Sequence, residues 1–208
     1  RWLATRFNRP GHEVVDNYTY AVCSDGDILE GFSHVAAEIA GHMVMGNLIW
    51  IFDDYRITIE GDTDLATSTD QADRFRGYGW QVIEVDSGEQ LIALDAAIEA
   101  GRANREQPTL IIMKTVIGHG SPNMAGSEAT HGAPLGEEEI RLTKRNYGWP
   151  EDAKFLVPDG VREHFAEAIG KRGAALREAW MLKFEEYKIA HPELADHLFK
   201  MQHRQPTK

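Results

Sequence analysis

Residues 19–27 read Thr-Tyr-Ala-Val-Cys-Ser-Asp-Gly-Asp, an apolar stretch that runs directly into an acidic turn containing glycine. The alternation of β-branched, aromatic and small residues over 19–23 is typical of a β-strand. The helical spacing of apolar residues over 28–45, which Asp27 can cap, predicts a helix after the turn. A strand, a turn and a helix in this order form the first half of a βαβ unit, which indicates a parallel sheet.

Strands and helices continue to alternate along the chain. The continuous apolar run at 48–52 is typical of a strand buried on both faces. We predict further strands at 81–85 and 109–116, and helices at 69–78, 89–103, 137–146, 161–190 and 193–203. This order predicts an α/β fold with one parallel β-sheet and helices on both faces. The two prolines in the segment 150–158 mark a connector, so we predict an α/β domain over 1–150 and a helical extension over 151–208.

Composition excludes several classes of partner. The 208 residues contain 22 Lys and Arg against 33 Asp and Glu, a formal net charge of −11. This balance argues against duplex nucleic acid and against an anionic membrane surface, because both require clustered basic side chains. No apolar run approaches the roughly 20 residues that span a bilayer. Cys23 has no second cysteine to pair with, which favours a reducing, cytoplasmic compartment. The chain opens with Arg1 in mid-pattern, and we interpret it as a fragment, a processed chain or an excised domain.

Polar residues follow the predicted strands, at the edge of the sheet where ligands bind in α/β folds. Asp25 offers a hard oxygen ligand suited to Mg²⁺ or Ca²⁺, and Gly26 lets the backbone approach an anion at the next helix. The loop 53–61 could add a side-chain oxygen and a backbone carbonyl. His119 and His131 lie in a Gly-rich loop, where a histidine can donate to a substrate or move a proton. Taken singly, these residues also fit a plain turn and exposed loop histidines.

Several blocks of sequence together resemble the first domain of transketolase, the domain that binds the diphosphate of thiamine diphosphate. They are the acidic turn at 24–27, the strand end at 53–54, and the segments 57–61, 75–80, 114–123 and 130–136. The resemblance extends over nearly the whole chain. It implies part of an enzyme that transfers a two-carbon ketol unit between sugar phosphates of the pentose phosphate pathway, with thiamine diphosphate and Mg²⁺, or Ca²⁺ in its place, as cofactors.

The resemblance implies a cofactor-binding role for five residues. Asp25 matches the aspartate that binds Mg²⁺, and the carbonyl of Ile57 matches the backbone ligand of the same ion. Gly26 matches the glycine beside the diphosphate. Ile59 and Ile117 match residues that pack on the cofactor.

Four other positions concern the substrate, the subunit interface and departures from the family. His131 matches the catalytic histidine that polarises the sugar substrate, and Glu30 matches a glutamate at the dimer interface. Tyr55 stands where the family has the asparagine that completes the Mg²⁺ site, and a neutral phenol is a poor ligand for this ion. Val35 stands where the family has a second glutamate of the interface network.

The resemblance also implies that other parts of the site lie outside these residues. In the family, an upstream segment contacts the diphosphate and substrate, and a pyrimidine-binding domain supplies the glutamate that activates the cofactor. We therefore expect this chain to carry half a site, to be inactive alone, and to act in a homodimer or heteromer with a pyrimidine-binding domain or chain. Two alternatives stay open: a degenerate subunit with a structural or regulatory role, and a split thiamine-diphosphate synthase acting on another sugar phosphate.

Overall fold

The computed structural model describes residues 1–206, which separate into two compact units. One unit is Tyr18–Ala153, and the other combines residues 1–17 with those from Lys154 onward. In this part of the chain, no helix is both long and apolar enough to cross a bilayer. The division into domains 1–150 and 151–208 stays a prediction.

The unit Tyr18–Ala153 is built on four parallel strands, β1 (Thr19–Ser24), β2 (Leu48–Asp54), β5 (Gln81–Val85) and β6 (Thr109–Lys114). They form one sheet in the order β1-β2-β6-β5. A short antiparallel pair, β3 (Ile57–Thr58) and β4 (Gly61–Asp62), follows β2. The helices are α2 (Asp25–Leu29), α3 (Gly31–His42), α4 (Gln71–Gly77), α5 (Leu91–Ala103) and α6 (Glu137–Asn146). Single 3₁₀ turns lie at Thr63–Leu65 and Glu128–Thr130.

Helices cover both faces of this sheet. On one face, Phe52 of β2 and Leu110 of β6 belong to a buried cluster with Phe75 of α4 and residues of α2 and α3. On the other face, Ile111 of β6 packs with Ala97 of α5. The central strands β2 and β6 are covered on both sides, which explains why they read as continuous apolar runs. The predicted α/β fold with a parallel sheet is confirmed.

The single helix predicted over 28–45 is wrong in its start and its continuity. α2 already begins at Asp25, because the carboxylate of Asp27 accepts hydrogen bonds from the backbone amide and the hydroxyl of Ser24. Asp27 therefore stabilises the first turn from inside the helix rather than from in front of it. Glu30, with extended backbone at φ −68° and ψ 128°, then separates α2 from α3.

α3 buries its small residues and exposes its large apolar ones. Ala37 is fully buried, and a Cβ added to Gly41 would lie 1.8 Å from the carbonyl oxygen of Tyr78. The helix therefore packs too closely for large side chains on this side. The opposite side, which we call the α3 apolar face, carries side chains that are 83%, 54% and 50% exposed, those of Phe32, Val35 and Ile39.

The second unit is helical. It contains α1 (Trp2–Phe7), α7 (Val161–Phe165), α8 (Lys171–Ala190) and α9 (Pro192–Gln202), with a π-helical turn, Ala166–Gly170, joining α7 to α8. In its core, the rings of Trp180 and Phe184 stack with centroids 4.9 Å apart. The buried hydroxyl of Tyr187 donates to the carbonyl of Phe7 at 2.6 Å. The prediction of helix over 161–190 is confirmed.

Candidate functional site

The carboxyl ends of β1, β2 and β6 lie side by side at one edge of the sheet. Ser24, the last residue of β1, pairs with Asp53, and Asp54, the last residue of β2, pairs with Lys114. Parallel strands in this register bring the loops that follow them to one place. Asp25 and the loop after β2 therefore meet, as the sequence predicts.

The carboxylate of Asp25 is buried and bonded to that loop. Its Oδ2 atom accepts hydrogen bonds from the backbone amides of Tyr55, at 3.2 Å, and Arg56, at 3.0 Å. Only 5% of the residue is exposed. Arg56 has a φ of 60°, a left-handed conformation that few residues other than glycine adopt. The two bonds that Asp25 accepts thus help to hold a strained turn in place.

Two carboxylates at this edge have raised pKa values. The pKa of Asp25 is raised to about 6, mainly by burial and secondly by the charge of Asp54, although the two amide bonds lower it. Burial also raises the pKa of Asp54. Both carboxylates line a cavity of about 460 Å³ that Lys114 also borders. Such an environment favours a bound cation, which would keep Asp25 in its charged form.

Tyr55 does not supply the amide oxygen expected at its position in a Mg²⁺ site. Its ring lies beside that of His131, with centroids 6.1 Å apart. Within residues 1–206, no group of three or more His, Cys, Asp or Glu side chains is placed to hold a metal ion. The donors present therefore fit a cation held by the carboxylate of Asp25, backbone carbonyl oxygens and water, rather than by a full set of side chains.

His131 ends the 3₁₀ turn Glu128–Thr130, and its backbone amide donates to the carbonyl of Glu128 at 3.0 Å. Its Nδ1 atom is buried, with no hydrogen-bond partner among the described residues. A buried ring nitrogen without a partner is uncommon and remains available to a ligand. Through the contact with Tyr55, the histidine joins the loop after β6 to the loop after β2 and to Asp25.

The other predicted site residues differ in exposure. A Cβ added to Gly26 would meet no atom within 4 Å, so the backbone there is open to a ligand. Ile57 and Ile117 are half-buried. Ile59 is 74% exposed, and Glu30 is exposed as well. Their roles toward a cofactor or a partner subunit stay predictions.

His119, the second candidate histidine, pairs with a different residue. Its Nε2 atom lies 2.8 Å from Oε1 of Glu89, and both side chains are largely exposed. Glu139 is not singled out by the sequence, and its carboxylate accepts hydrogen bonds from Ser121 and Asn123 in the loop after β6. Glu139 stands among three consecutive glutamates at a helix start, and no local pattern distinguishes it from its neighbours.

The sequence of this chain is similar to bacterial transketolases. A family profile described as transketolase, thiamine diphosphate binding domain, matches residues 1–206. The transketolase of Bacillus subtilis (strain 168) is 46% identical over 198 residues, which are 95% of this chain and 30% of that protein. The transketolase of Geobacillus stearothermophilus is 43% identical over 198 residues, with the same coverage of 95% and 30%.

Solved structures show the same likeness in three dimensions. A transketolase variant from Pichia stipitis in complex with fructose-6-phosphate superposes with a TM-score of 0.92 at 33% identity, covering 99% of this chain and 30% of that one. The transketolase from Leishmania mexicana gives a TM-score of 0.92 at 36% identity, with coverage of 98% and 30%. This chain thus spans about 30% of the length of the relatives it matches.

Proposed function

This chain belongs to the transketolase family, and from that premise we propose that it supplies the metal- and diphosphate-binding half of a thiamine-diphosphate site. The reaction is the transfer of a two-carbon ketol unit between sugar phosphates of the pentose phosphate pathway. One observation supports this proposal most directly. The buried carboxylate of Asp25 is bonded to the loop after β2, whose Tyr55 lies against His131.

The residues at the carboxyl ends of the strands have different roles in binding the metal and the cofactor. Thiamine diphosphate, when bound, supplies a thiazolium carbon that acts as the nucleophile, so the protein provides positioning and electrostatics. Asp25 and the backbone carbonyl of Ile57 would hold Mg²⁺, or Ca²⁺ in its place, whose charge would favour the diphosphate. Gly26 leaves room for a phosphate at the start of α2. Ile59 and Ile117 provide apolar contacts.

His131 acts on the sugar phosphate. A neutral imidazole can donate from one ring nitrogen and accept at the other. Because Nδ1 is buried without a partner among residues 1–206, it is free to bond a ligand oxygen and to fix the orientation of the ring. His131 is therefore the residue that we assign to polarising a substrate oxygen or moving its proton.

The other half of the site comes from a pyrimidine-binding domain or chain, in a homodimer or heteromer. The α3 apolar face and Glu30 support this assignment, because exposed clusters of large apolar side chains mark interfaces. Val35 on this face gives an apolar contact where the family has a glutamate. The reducing environment that suits a lone thiol supports a cytoplasmic location for the assembly.

The test combines the purified chain with a complementary pyrimidine-binding chain. Mg²⁺ plus thiamine diphosphate should raise the melting temperature of the mixture, and ketol transfer should appear in the mixture but not with this chain alone. His131→Ala should keep the melting shift and lower kcat by about 100-fold or more, the range of general acid–base catalysis. No melting shift at saturating cofactor, or turnover by this chain alone, would contradict the proposal.

A further inference from the structure

The loop after β6 is tied to the first turn of α6. Glu139 accepts a hydrogen bond from the hydroxyl of Ser121, one from the backbone amide of Asn123 at 2.9 Å, and one from Asn123 Nδ2 at 2.9 Å. Ser121 is only 4% exposed. These bonds lower the pKa of Glu139, so the acceptor is a carboxylate, and bonds to a charged acceptor are the stronger kind.

The other end of α6 binds the same loop. Asn146 Nδ2 donates to the carbonyl of Gly120 at 2.9 Å, and the Tyr147 hydroxyl donates to the carbonyl of His119 at 2.6 Å. Gly120 lies close to the ring of Tyr147: a Cβ on Gly120 would come within 2.3 Å of Tyr147 Cζ. The segment 119–123 is therefore bonded both to the first turn of α6 and to the residues at the end of this helix.

The residues that flank this segment are bonded to it or to each other. The amide of Ser121 donates to the carbonyl of Gly118 at 3.0 Å, and the amide of Gly126 donates to the carbonyl of Ile117 at 2.8 Å. A Cβ on Gly118 would lie 3.0 Å from Cγ2 of Thr130, the residue before His131. A shift of the segment would therefore move Ile117 on one side and the 3₁₀ turn that carries His131 on the other.

We propose that Glu139 is a positioning residue that holds Ile117 and His131 in the geometry used by the thiamine-diphosphate site. It acts from outside the site, through Ser121 and Asn123. What His131 binds rests on the proposed function, whereas the coupling of Glu139 to His131 does not.

The first experiment measures that coupling in the full chain without any cofactor. Glu139→Ala should shift the NMR signals of the His131 ring and speed amide exchange in 118–126 by about tenfold or more, as the loop loses bonds to a charged acceptor. Glu138→Ala is the matched control, because Glu138 is exposed in the same helical turn. It should change neither readout.

A conservative variant tests whether the amide exchange rates depend on the number of hydrogen bonds that residue 139 accepts. In Glu139→Gln, the side-chain oxygen still accepts from Ser121 and the Asn123 amide, but its NH₂ group faces the Asn123 Nδ2 donor. We expect intermediate exchange rates. If Glu139→Ala does not fold, Asn123→Ala replaces it in the comparison, since it removes one donor and leaves the helix intact. Unchanged His131 signals in Glu139→Ala, or in Asn123→Ala when that variant replaces it, would overturn the proposal.

The second experiment uses the chain assembled with its pyrimidine-binding partner. Glu139→Ala should raise KM for the donor sugar phosphate and lower kcat, yet add little to the loss in a His131→Ala background, because residues that act through one another are not additive. Full additivity would overturn the positioning role. An assembly of unchanged chains that binds no thiamine diphosphate would instead contradict the proposed function, and the NMR result would still decide the role of Glu139.

Discussion

The carboxylate of Asp25 accepts a hydrogen bond of 3.0 Å from the backbone amide of Arg56, a residue 31 positions further along the chain. The bond joins the turn after β1 to the strained turn after β2. Asp25 is also the proposed ligand of the metal. One buried carboxylate thus stabilises the loop in the chain without ligand, and the same group would present its charge to a cation.

The first prediction concerns the charge of Asp25. The pKa of this side chain is about 6 in the folded chain and about 3.9 in an unfolded one. The folded state therefore binds the extra proton between these values, and the free energy of unfolding falls as pH rises through this window. Asp25→Asn keeps an oxygen for both amide bonds and cannot ionise, so we expect it to gain stability relative to the unchanged chain as pH rises.

Urea unfolding without metal at pH 4 and pH 7.5 measures this difference. The gap in unfolding free energy between Asp25→Asn and the unchanged chain should move in favour of the variant by on the order of 1 kcal/mol at the higher pH. Glu60→Gln, in an exposed position of the same loop region, is the control and should show no such change. A gap of equal size at both pH values would count against a buried, uncompensated charge.

The second prediction concerns Tyr55. An amide oxygen is a better ligand for Mg²⁺ than a neutral phenol, and asparagine is shorter than tyrosine. We expect Tyr55→Asn to tighten Mg²⁺-dependent binding of thiamine diphosphate by about tenfold, the effect of roughly 1.4 kcal/mol. Titration of Mg²⁺ at fixed cofactor, in the chain assembled with its pyrimidine-binding partner, measures the change. Tyr55→Phe keeps the ring beside His131 and should bind as the unchanged chain does; equal affinity in the asparagine variant would show that Tyr55 is harmless.

The parallel direction of the strands and the meeting of Asp25 with the loop of Tyr55 could be predicted from the sequence. Apolar runs such as 48–52 identify buried strands, and parallel strands in register bring their following loops together. Both inferences depend on short local segments and on the parallel direction of the strands, whereas the place of β6 between β2 and β5 follows from neither. The predicted sheet and the turn at Asp25 agree with the structure.

Two features could not be predicted in this way: the hydrogen bonds between Glu139 and the loop after β6, and the orientation of α3. Both depend on how a helix packs against residues that are distant in the sequence. In the sequence, Glu139 cannot be distinguished from the two glutamates before it. Only the structure shows that Asn123 donates a hydrogen bond to it. The spacing of Phe32 and its apolar neighbours predicts a helix but not which side faces the sheet. The side that packs inward is the one that carries Gly41, which closely approaches Tyr78.

The third prediction tests that approach. A Cβ at residue 41 would lie 1.8 Å from the backbone carbonyl oxygen of Tyr78, so α3 must shift to admit it. We expect Gly41→Ala to lower the free energy of unfolding by about 2 kcal/mol, in the range of overpacked cores. Gly31→Ala, where a Cβ would meet no atom within 4 Å, should change stability by less than about 0.5 kcal/mol. Thermal unfolding of both variants gives the comparison, and equal effects would mean that α3 packs less closely than the 1.8 Å approach indicates.

The fourth prediction concerns the α3 apolar face. Phe32 is 83% exposed, so its replacement removes few contacts within the chain and should leave the melting temperature nearly unchanged. If this face binds a second subunit, Phe32→Glu places a charge in the contact and should weaken association by at least about tenfold, since a charge buried at an interface without a partner is costly.

Sedimentation of the chain over a range of concentrations, alone and mixed with the pyrimidine-binding chain, measures that association. Ile92→Glu is the matched control, because Ile92 is 89% exposed near the start of another helix, α5. Both variants carry the same new charge on an exposed helical position, so a difference between them reports on the α3 apolar face and not on net charge. Equal association of the two variants would place the subunit contact elsewhere on the molecule.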